Sequence, residues 1–494
     1  MKRTIQKVAI LGSGVMGSRI ACHFANIGCE VLLLDIVPRE LSEAEAAQGK
    51  SLSDKAVRNR IVNEALQSTL KSNPSPIYSK SFISRITTGN MEDDLAKIAD
   101  MDWTIEVVIE NLDIKKQVLA NVEKYRKPGT LITSNTSSIP INKLIDGRSE
   151  DFQKHFCGSH FFNPPRYLRL LEIIPTEKTD PAIVDFLMEY GSRYLGKKTV
   201  LCKDTPAFIA NRVGVFAIQA LFHTIKDLDL NVETVDRLTG PVMGRPKSAT
   251  FRTCDVVGLD TLTFVANIVR ENCPNDERQD VFNIPDYVSK MVENKWLGSK
   301  TGQGFYKKVK GEGGKSEILV LDLNTMEYRP QQKQKFTTLE AARPVDDLVQ
   351  RTKILYSGAD KAGDFYRAIF HQVFAYVSLR VPEISDELYK IDDAMRAGFG
   401  WELGPFETWD AVGVMKALEG LKAAGQEPAE WIQEMLDNGI ESFYTLDKGI
   451  RCYYDARSKS YQPIPGQENL VILSNIQDDK VVWKNAGTTI KDLG

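Results

Sequence analysis

His160 and Glu172, twelve residues apart, are the pair in this sequence best suited to moving a proton. Phe161 and Phe162 follow the histidine, and Leu168, Leu170, Leu171, Ile173 and Ile174 surround the glutamate. Two neighbouring strands with a short turn between them would bring the carboxylate to one imidazole nitrogen. That contact fixes the tautomer and leaves the other nitrogen as a base near neutral pH. An isolated histidine in such a setting reads as a hydrogen-bonded core residue. Here a second motif upstream favours chemistry.

That motif opens the chain. Lys7-Val8-Ala9-Ile10-Leu11 is a short apolar run, followed by Gly12-Ser13-Gly14-Val15-Met16-Gly17 and a helical pattern to Ile27. A second apolar run, Val31 to Leu34, ends at Asp35. Strand, glycine-rich turn, helix and a following acid form a dinucleotide signature. Gly12 and Gly14 permit a tight turn and close approach of a pyrophosphate, and Gly17 lets the helix pack on the strand. The start of the helix at Val15 and Met16 then faces the phosphates, and Asp35 can hold both ribose hydroxyls. A carboxylate there favours NAD over NADP, with Arg39 as the nearby residue that could favour the 2′-phosphate.

The elements that position these residues follow from the pattern. Strand-like runs alternate with helical ones from residue 1 to about 203, including Ile83–Thr87, Trp103–Glu110 and Thr130–Thr133, which is a doubly wound α/β domain. The charged stretch from Ser42 to Ser72 reads either as a helical arm over the site or as a solvated helix pair. At Asp204-Thr205-Pro206 helical periodicity takes over, and residues 311–355 read as a linker after a Gly/Lys-rich turn. The region beyond repeats the one before it. Asp236 precedes Gly244 by eight residues as Asp392 precedes Gly400, and Phe251, Asp255 and Gly258 recur with identical spacing as Phe406, Asp410 and Gly413. A duplicated helical module is expected over 204–310 and 356–455, the second copy structural because His371-Gln372 stands where Asn211-Arg212 would recur. Linked copies should pair within one chain, giving a monomer with an internal pseudo-dimer.

Composition narrows the alternatives. At 494 residues several domains are expected, at ~100–200 residues each. A net charge of −3 gives no reason to expect nucleic acid or a membrane surface as partner, and no apolar run suffices to span a bilayer. The seven scattered cysteines form no CxxC pair, so buried thiols in a reducing compartment are expected rather than disulfides, and the five histidines have no metal-ligand spacing. With strand one starting at Lys7, no signal peptide is expected and the location reads as cytoplasmic.

Taken together, Gly12–Gly17, Val108-Ile109-Glu110-Asn111-Leu112, Ser134-Asn135-Thr136-Ser137-Ser138, His160-Phe161-Phe162-Asn163-Pro164, Asp204–Arg212 and Lys300-Thr301-Gly302-Gln303-Gly304-Phe305-Tyr306 resemble the L-3-hydroxyacyl-CoA dehydrogenases. The arrangement is that of the tandem-repeat members found in multifunctional fatty-acid β-oxidation proteins. The resemblance covers the chain to about residue 415. It implies a Rossmann-type dinucleotide-binding domain followed by two tandem all-α domains like those of 6-phosphogluconate dehydrogenase. It also implies oxidation of a (3S)-3-hydroxyacyl-CoA to a 3-oxoacyl-CoA by NAD. By the same resemblance His160 is the base, Glu172 orients it, and Ser137 and Asn211 hold the substrate oxygen. Glu110, Lys115, Asn163 and Lys300 match positions that touch the dinucleotide. The sequence departs from the family at Lys247-Ser248-Ala249-Thr250, which leaves acyl-chain preference open. A dehydrogenase of a small free hydroxy acid and a silent NAD-binding scaffold are the competing readings. Val481–Gly494 reads as two short strands around a turn. In relatives such a tail leads into an enoyl-CoA hydratase module, so a cut at a module boundary and a loosely held end over the last ~30 residues are expected.

Overall fold

A computed structural model describes residues 3–310, 315–467, 470–476, 478–485 and 487–493. The chain divides into two compact units, one of Met1–Arg212 with Glu271–Cys273 and Ala397–Gly400, the other of the remainder.

The first unit is built on an eight-stranded sheet ordered β3-β2-β1-β4-β5-β6-β7-β8. Its strands are β1 Lys7–Leu11, β2 Glu30–Asp35, β3 Ile86–Asn90, β4 Trp103–Glu106, β5 Leu131–Ser134, β6 Phe156–Phe161, β7 Leu170–Pro175 and β8 Lys198–Leu201. β1 to β6 pair in parallel, β7 turns back antiparallel to β6, and β8 follows β7 in parallel. The central strands are apolar along their length because helices cover both faces, so each side of the pleat is buried. The strand order reverses between β1 and β4, and the crevice outside the carboxyl ends of those strands is where such sheets bind ligands. Helix α1, Val15–Asn26, packs its buried face with Ile20, Ala21 and Phe24 into this core, Phe24 meeting the fully buried Trp103 edge-on at 5.3 Å.

The stretch from Ser42 to Ser72 is three short helices, Glu43–Ala47, Lys55–Arg58 and Arg60–Leu70. The last packs on α1, β2 and β3 and buries Val62 and Leu66 in the core, so it belongs to a helical layer of the domain. That last helix is therefore not a solvated one. All seven cysteines are buried thiols outside any disulfide. Among the described residues no helix is long and apolar enough to cross a membrane.

The second unit is helical with three-stranded antiparallel meanders. β9 Tyr306–Lys310, β10 Ser316–Leu321 and β11 Tyr328–Pro330 form one; β12 Tyr444–Asp447, β13 Ile450–Asp455 and β14 Ser460–Pro463 form the other. These sheets correct the expectation of purely helical modules. They also correct the linker over 311–355, since β10, β11 and the helices Thr337–Ala342 and Leu348–Ser357 lie there, while 311–314 fall outside the described residues. The strands are short and mostly half-exposed, with little of the alternation that marks a strand in sequence.

The repeated residues do the same structural work twice. Asp236 accepts the Phe251 amide at 2.7 Å and the Tyr306 hydroxyl at 2.8 Å; Asp392 accepts the Phe406 amide at 2.9 Å and the Tyr444 hydroxyl at 2.7 Å. Asp255 accepts the amides of Phe305 and Tyr306, and Asp410 those of Phe443 and Tyr444. Gly258 and Gly413 both hold positive φ, 100° and 98°, where a side chain would be strained. The two stretches meet within the unit. Phe216 stacks on Tyr376 at 3.6 Å, Tyr366 donates to the Leu238 carbonyl, Glu402 N donates to the Gly244 carbonyl at 2.8 Å, and Arg245 lies over the Trp401 ring.

These aspartates carry a pH prediction. Burial pushes the Asp410 carboxyl up to about 7 and Asp255 up to about 6, against the pull of their amide donors. A carboxyl raised above its unfolded value near 4 holds its proton longer in the folded state. Its contribution is therefore complete below pH 4 and lost as pH rises through 6 to 7. Asp410→Asn keeps a carbonyl for one of the two amides and removes the titration. Calorimetry at pH 5 to 8 should show its unfolding temperature falling less with rising pH than that of the wild type; parallel curves would contradict this.

The C-terminal segment contains β15 Val481–Lys484 and β16 Thr489–Lys491, paired antiparallel as the sequence suggests. Ala486 and Gly494 lie outside the described residues.

Candidate active site

The register of β6 and β7 places His160 directly opposite Glu172. His160 Nδ1 and Glu172 Oε2 are 2.7 Å apart, the glutamate fully buried and the histidine nearly so. The connection is a loop over 162–169 rather than a short turn; it is the antiparallel ladder that fixes the pairing. Phe162 and Phe208 flank the imidazole, ring centroids 4.6 and 5.7 Å away. With Nδ1 committed to the carboxylate, Nε2 remains to take a proton, and among the described residues it has no hydrogen-bond partner.

Glu172 has a second task. Its Oε1 accepts the amides of Ile209 at 3.2 Å and Ala210 at 2.8 Å, at the start of the helix Ala210–Asp227 that carries Asn211. The chain reaches that point through Ala207 and Phe208, both in the left-handed region at φ 64° and 51°. Side chains there cost about 1–2 kcal/mol per residue, so the strain is held by the contacts around it. One carboxylate thus ties the base to the helix start bearing Asn211.

Ser137 lies beyond the carboxyl end of β5, in a loop gathered around Glu110. That carboxylate accepts the amides of Ser137 and Ser138 at 3.0 Å and the hydroxyls of Thr136 and Ser138 at 2.5 and 2.7 Å. Burial would raise the Glu110 pKa, but Lys115 and these donors outweigh it and hold the group below the usual glutamate range. Lys115 is itself buried: its Nζ donates to Glu106 Oε1 at 2.8 Å and the Val108 carbonyl at 3.1 Å, with Glu110 Oε2 at 3.4 Å. Glu106, fully buried at the end of β4, also accepts Ser134 Oγ and the Val108 amide. Glu106 is signalled in the sequence only as a lone acid closing the apolar run Trp103–Glu106.

The glycine-rich turn joins β1 to α1. Gly12 has φ 105°, and a Cβ there would lie 2.6 Å from the Val107 carbonyl; a Cβ on Gly17 would collide with the Gly12 carbonyl. Gly14 differs, since nothing lies within 4 Å of the position its Cβ would take. Close packing at Gly12 and Gly17 and open space at Gly14, beside the exposed Val15 and half-buried Met16 at the start of α1, fit a pyrophosphate against the helix amides. Asp35, at the end of β2, accepts Ser13 N at 2.6 Å and Ser13 Oγ at 2.5 Å, so it also holds the turn. The Asn163 Oδ1 accepts from Arg19 of α1 at 2.5 Å. Lys300 belongs to the second unit, where its Nζ meets both Asp260 oxygens at 2.5 Å. Within the first unit the structure brings His160, Glu172 and the start of Asn211's helix together, and likewise Ser137 with Glu110 and Lys115.

Residues 7–205 match the model of the 3-hydroxyacyl-CoA dehydrogenase NAD-binding domain and 208–308 that of the 3-hydroxyacyl-CoA dehydrogenase C-terminal domain. A probable 3-hydroxyacyl-CoA dehydrogenase of Deinococcus radiodurans is 44% identical over 308 residues, 62% of this chain and 84% of that protein. The chain belongs to the 3-hydroxyacyl-CoA dehydrogenase family. The family is one of oxidoreductases, and its NAD-binding domain here carries the glycine turn, His160 and Glu172. A protein of Bacillus subtilis described in the same words is 46% identical over 495 residues, all of this chain and 62% of that relative, so the chain spans less than two thirds of its length. A 3-hydroxybutyryl-CoA dehydrogenase from Escherichia coli shares the fold with TM-score 0.60, covering 88% of this chain and 99% of that one at 21% identity.

Proposed function

We propose that the protein oxidises (3S)-3-hydroxyacyl-CoA to 3-oxoacyl-CoA with NAD, as a step of fatty-acid β-oxidation. The observation that carries this reading is the buried His160–Glu172 pair, aligned by the β6–β7 ladder inside the family's NAD-binding domain. His160 Nε2 takes the proton of the 3-hydroxyl, and the Glu172 carboxylate on Nδ1 stabilises the imidazolium that results. The Ser137 hydroxyl and the Asn211 amide hold the oxygen as it becomes a carbonyl. Bound NAD supplies the acceptor for the hydride that leaves the same carbon. Gly12, Gly14, Val15, Met16 and Gly17 seat the pyrophosphate, Asp35 the adenine-side ribose, and Glu110, Lys115, Asn163 and Lys300 the rest of the dinucleotide.

The helical region is read as two copies of one module, 204–310 and 356–455, the second structural. The paired aspartate networks support this, and the stacking of Phe216 on Tyr376 supports an internal pseudo-dimer. A cytoplasmic location and work beside an enoyl-CoA hydratase module, fused or separate, complete the reading.

The experiment is NADH formation from 3-hydroxyacyl-CoA of graded chain length, beside free 3-hydroxy acids. Saturable turnover of the thioesters alone is expected. Preference for the free acids would replace the substrate class, and NADH binding without any turnover would leave a scaffold.

Asp35→Ala should raise KM for NAD about tenfold or more, the range for losing hydrogen bonds to a charged acceptor, and relax discrimination against NADP. Wild-type protein that already prefers NADP would show that Asp35 does not select the cofactor.

A further inference from the structure

We propose that Lys197 is a positioning residue for the cofactor side of the site: its buried ammonium holds the 162–169 loop in shape and thereby sets Asn163. This rests on the reading above that Asn163 touches the dinucleotide.

The loop leaves β6 just after His160 and returns to β7 just before Glu172. Lys197 stands immediately ahead of β8 and is 5% exposed. Its Nζ donates to the carbonyls of Pro165 and Leu168, the latter at 2.8 Å, and lies 5.9 Å from the Phe161 ring. Among the described residues no carboxylate comes within ion-pair distance of it. A buried ammonium without an anion is costly, and burial pushes this amine down to about 8, leaving it mostly cationic at neutral pH. A core residue serving only packing would cost less as an aliphatic chain.

What the charge does is visible in the loop. Its one internal turn runs from Pro164, whose carbonyl accepts the amides of Tyr167 and Leu168. Pro165 and Leu168 turn their carbonyls to Lys197, whose removal would leave two inward-facing acceptors unpaired. On the outer side Arg19 holds Asn163 Oδ1, and Arg166 donates to the carbonyls of Ser75 and Ile77. Lys197 is the attachment from within the core. The nearby His23, on α1, is pushed down to about 4 by burial and by Lys197, so it adds no second charge at neutral pH.

The test uses the full chain with Lys197→Met, which keeps length and removes the donors, and Lys197→Gln, which restores donors without charge. NADH affinity would be measured by fluorescence titration, kcat and both KM values by turnover, and folding by circular dichroism. For the methionine variant the expected result is NADH affinity and KM for NAD worse by about tenfold, kcat within about threefold, and KM for the acyl-CoA unchanged, because misplacement is confined to the cofactor side. The glutamine variant should regain most of the affinity. A folded Lys197→Met with wild-type NADH affinity would overturn the proposal, as would equal losses toward both substrates that glutamine fails to rescue. Failure of both variants to fold would assign Lys197 to the core alone and overturn it too. Wild-type protein that binds no NADH refutes instead the functional reading beneath it.

Discussion

Replacing His160 by alanine is expected to lower kcat by about 10²–10⁴-fold, the usual range for losing a general base, while NAD affinity stays within a few-fold. His160 sits on β6, and the only protein partner of its ring nitrogens among the described residues is Glu172, so no contact to the glycine turn depends on it. Its loss takes away the proton acceptor and leaves the turn, Asp35 and α1 untouched. The partner left behind is a fully buried carboxylate that keeps two amide donors, from Ile209 and Ala210, so the fold should survive. Steady-state kinetics at saturating substrate, with NADH titration alongside, separates the two quantities. Undiminished turnover would remove His160 from the chemistry.

Glu172→Gln should fall as far, about 10²–10⁴-fold in kcat, for a reason that lies in the tautomer. Oε1 of Glu172 accepts two backbone amides, so the carbonyl oxygen of a glutamine is held on that side. Its NH₂ group must then face His160 Nδ1. A donor there requires Nδ1 to be unprotonated, which places the ring proton on Nε2, the atom that should accept one. The variant keeps the contacts to Ile209 and Ala210, so its melting temperature should change by only a few degrees while the rate falls and the pH profile moves. A large loss of stability with activity preserved per folded molecule would make Glu172 structural.

Local chemistry was legible in the order of residues alone. The run Lys7–Leu11, the turn Gly12–Gly17 and the ending of the next strand at Asp35 are legible because a glycine at φ 105° and a strand–helix packing contact are requirements of neighbouring residues. The His160–Glu172 pair was readable for a related reason: twelve residues suffice for a strand to leave and return, and an antiparallel ladder sets opposite residues face to face. Asp236–Gly244 and Phe251–Asp255–Gly258, matched in spacing by Asp392–Gly400 and Phe406–Asp410–Gly413, carried the repeat, although the amides that Asp255 and Asp410 accept lie 50 and 33 residues further along.

Where long-range polar contacts close depends on the packing of elements distant in the chain. That Lys115 is buried against Glu106, that Arg19 meets Asn163 across 144 residues and that Lys197 holds two carbonyls 29 and 32 residues away follow from elements packing face to face. No periodicity announces such pairs, because a cation on a strand end or helix looks solvated until a neighbouring element removes the water. The meanders were hidden likewise: apart from the buried β13 their strands are short and largely half-exposed, β9 begins inside a motif read for other reasons, and β10 and β11 lie in the stretch read as linker. The delivery of Asn211 through left-handed Ala207 and Phe208 is the extreme case, for neither residue type favours that backbone, and the buried oxygen of Glu172, 37 and 38 residues earlier, takes the amides of Ile209 and Ala210 that follow them.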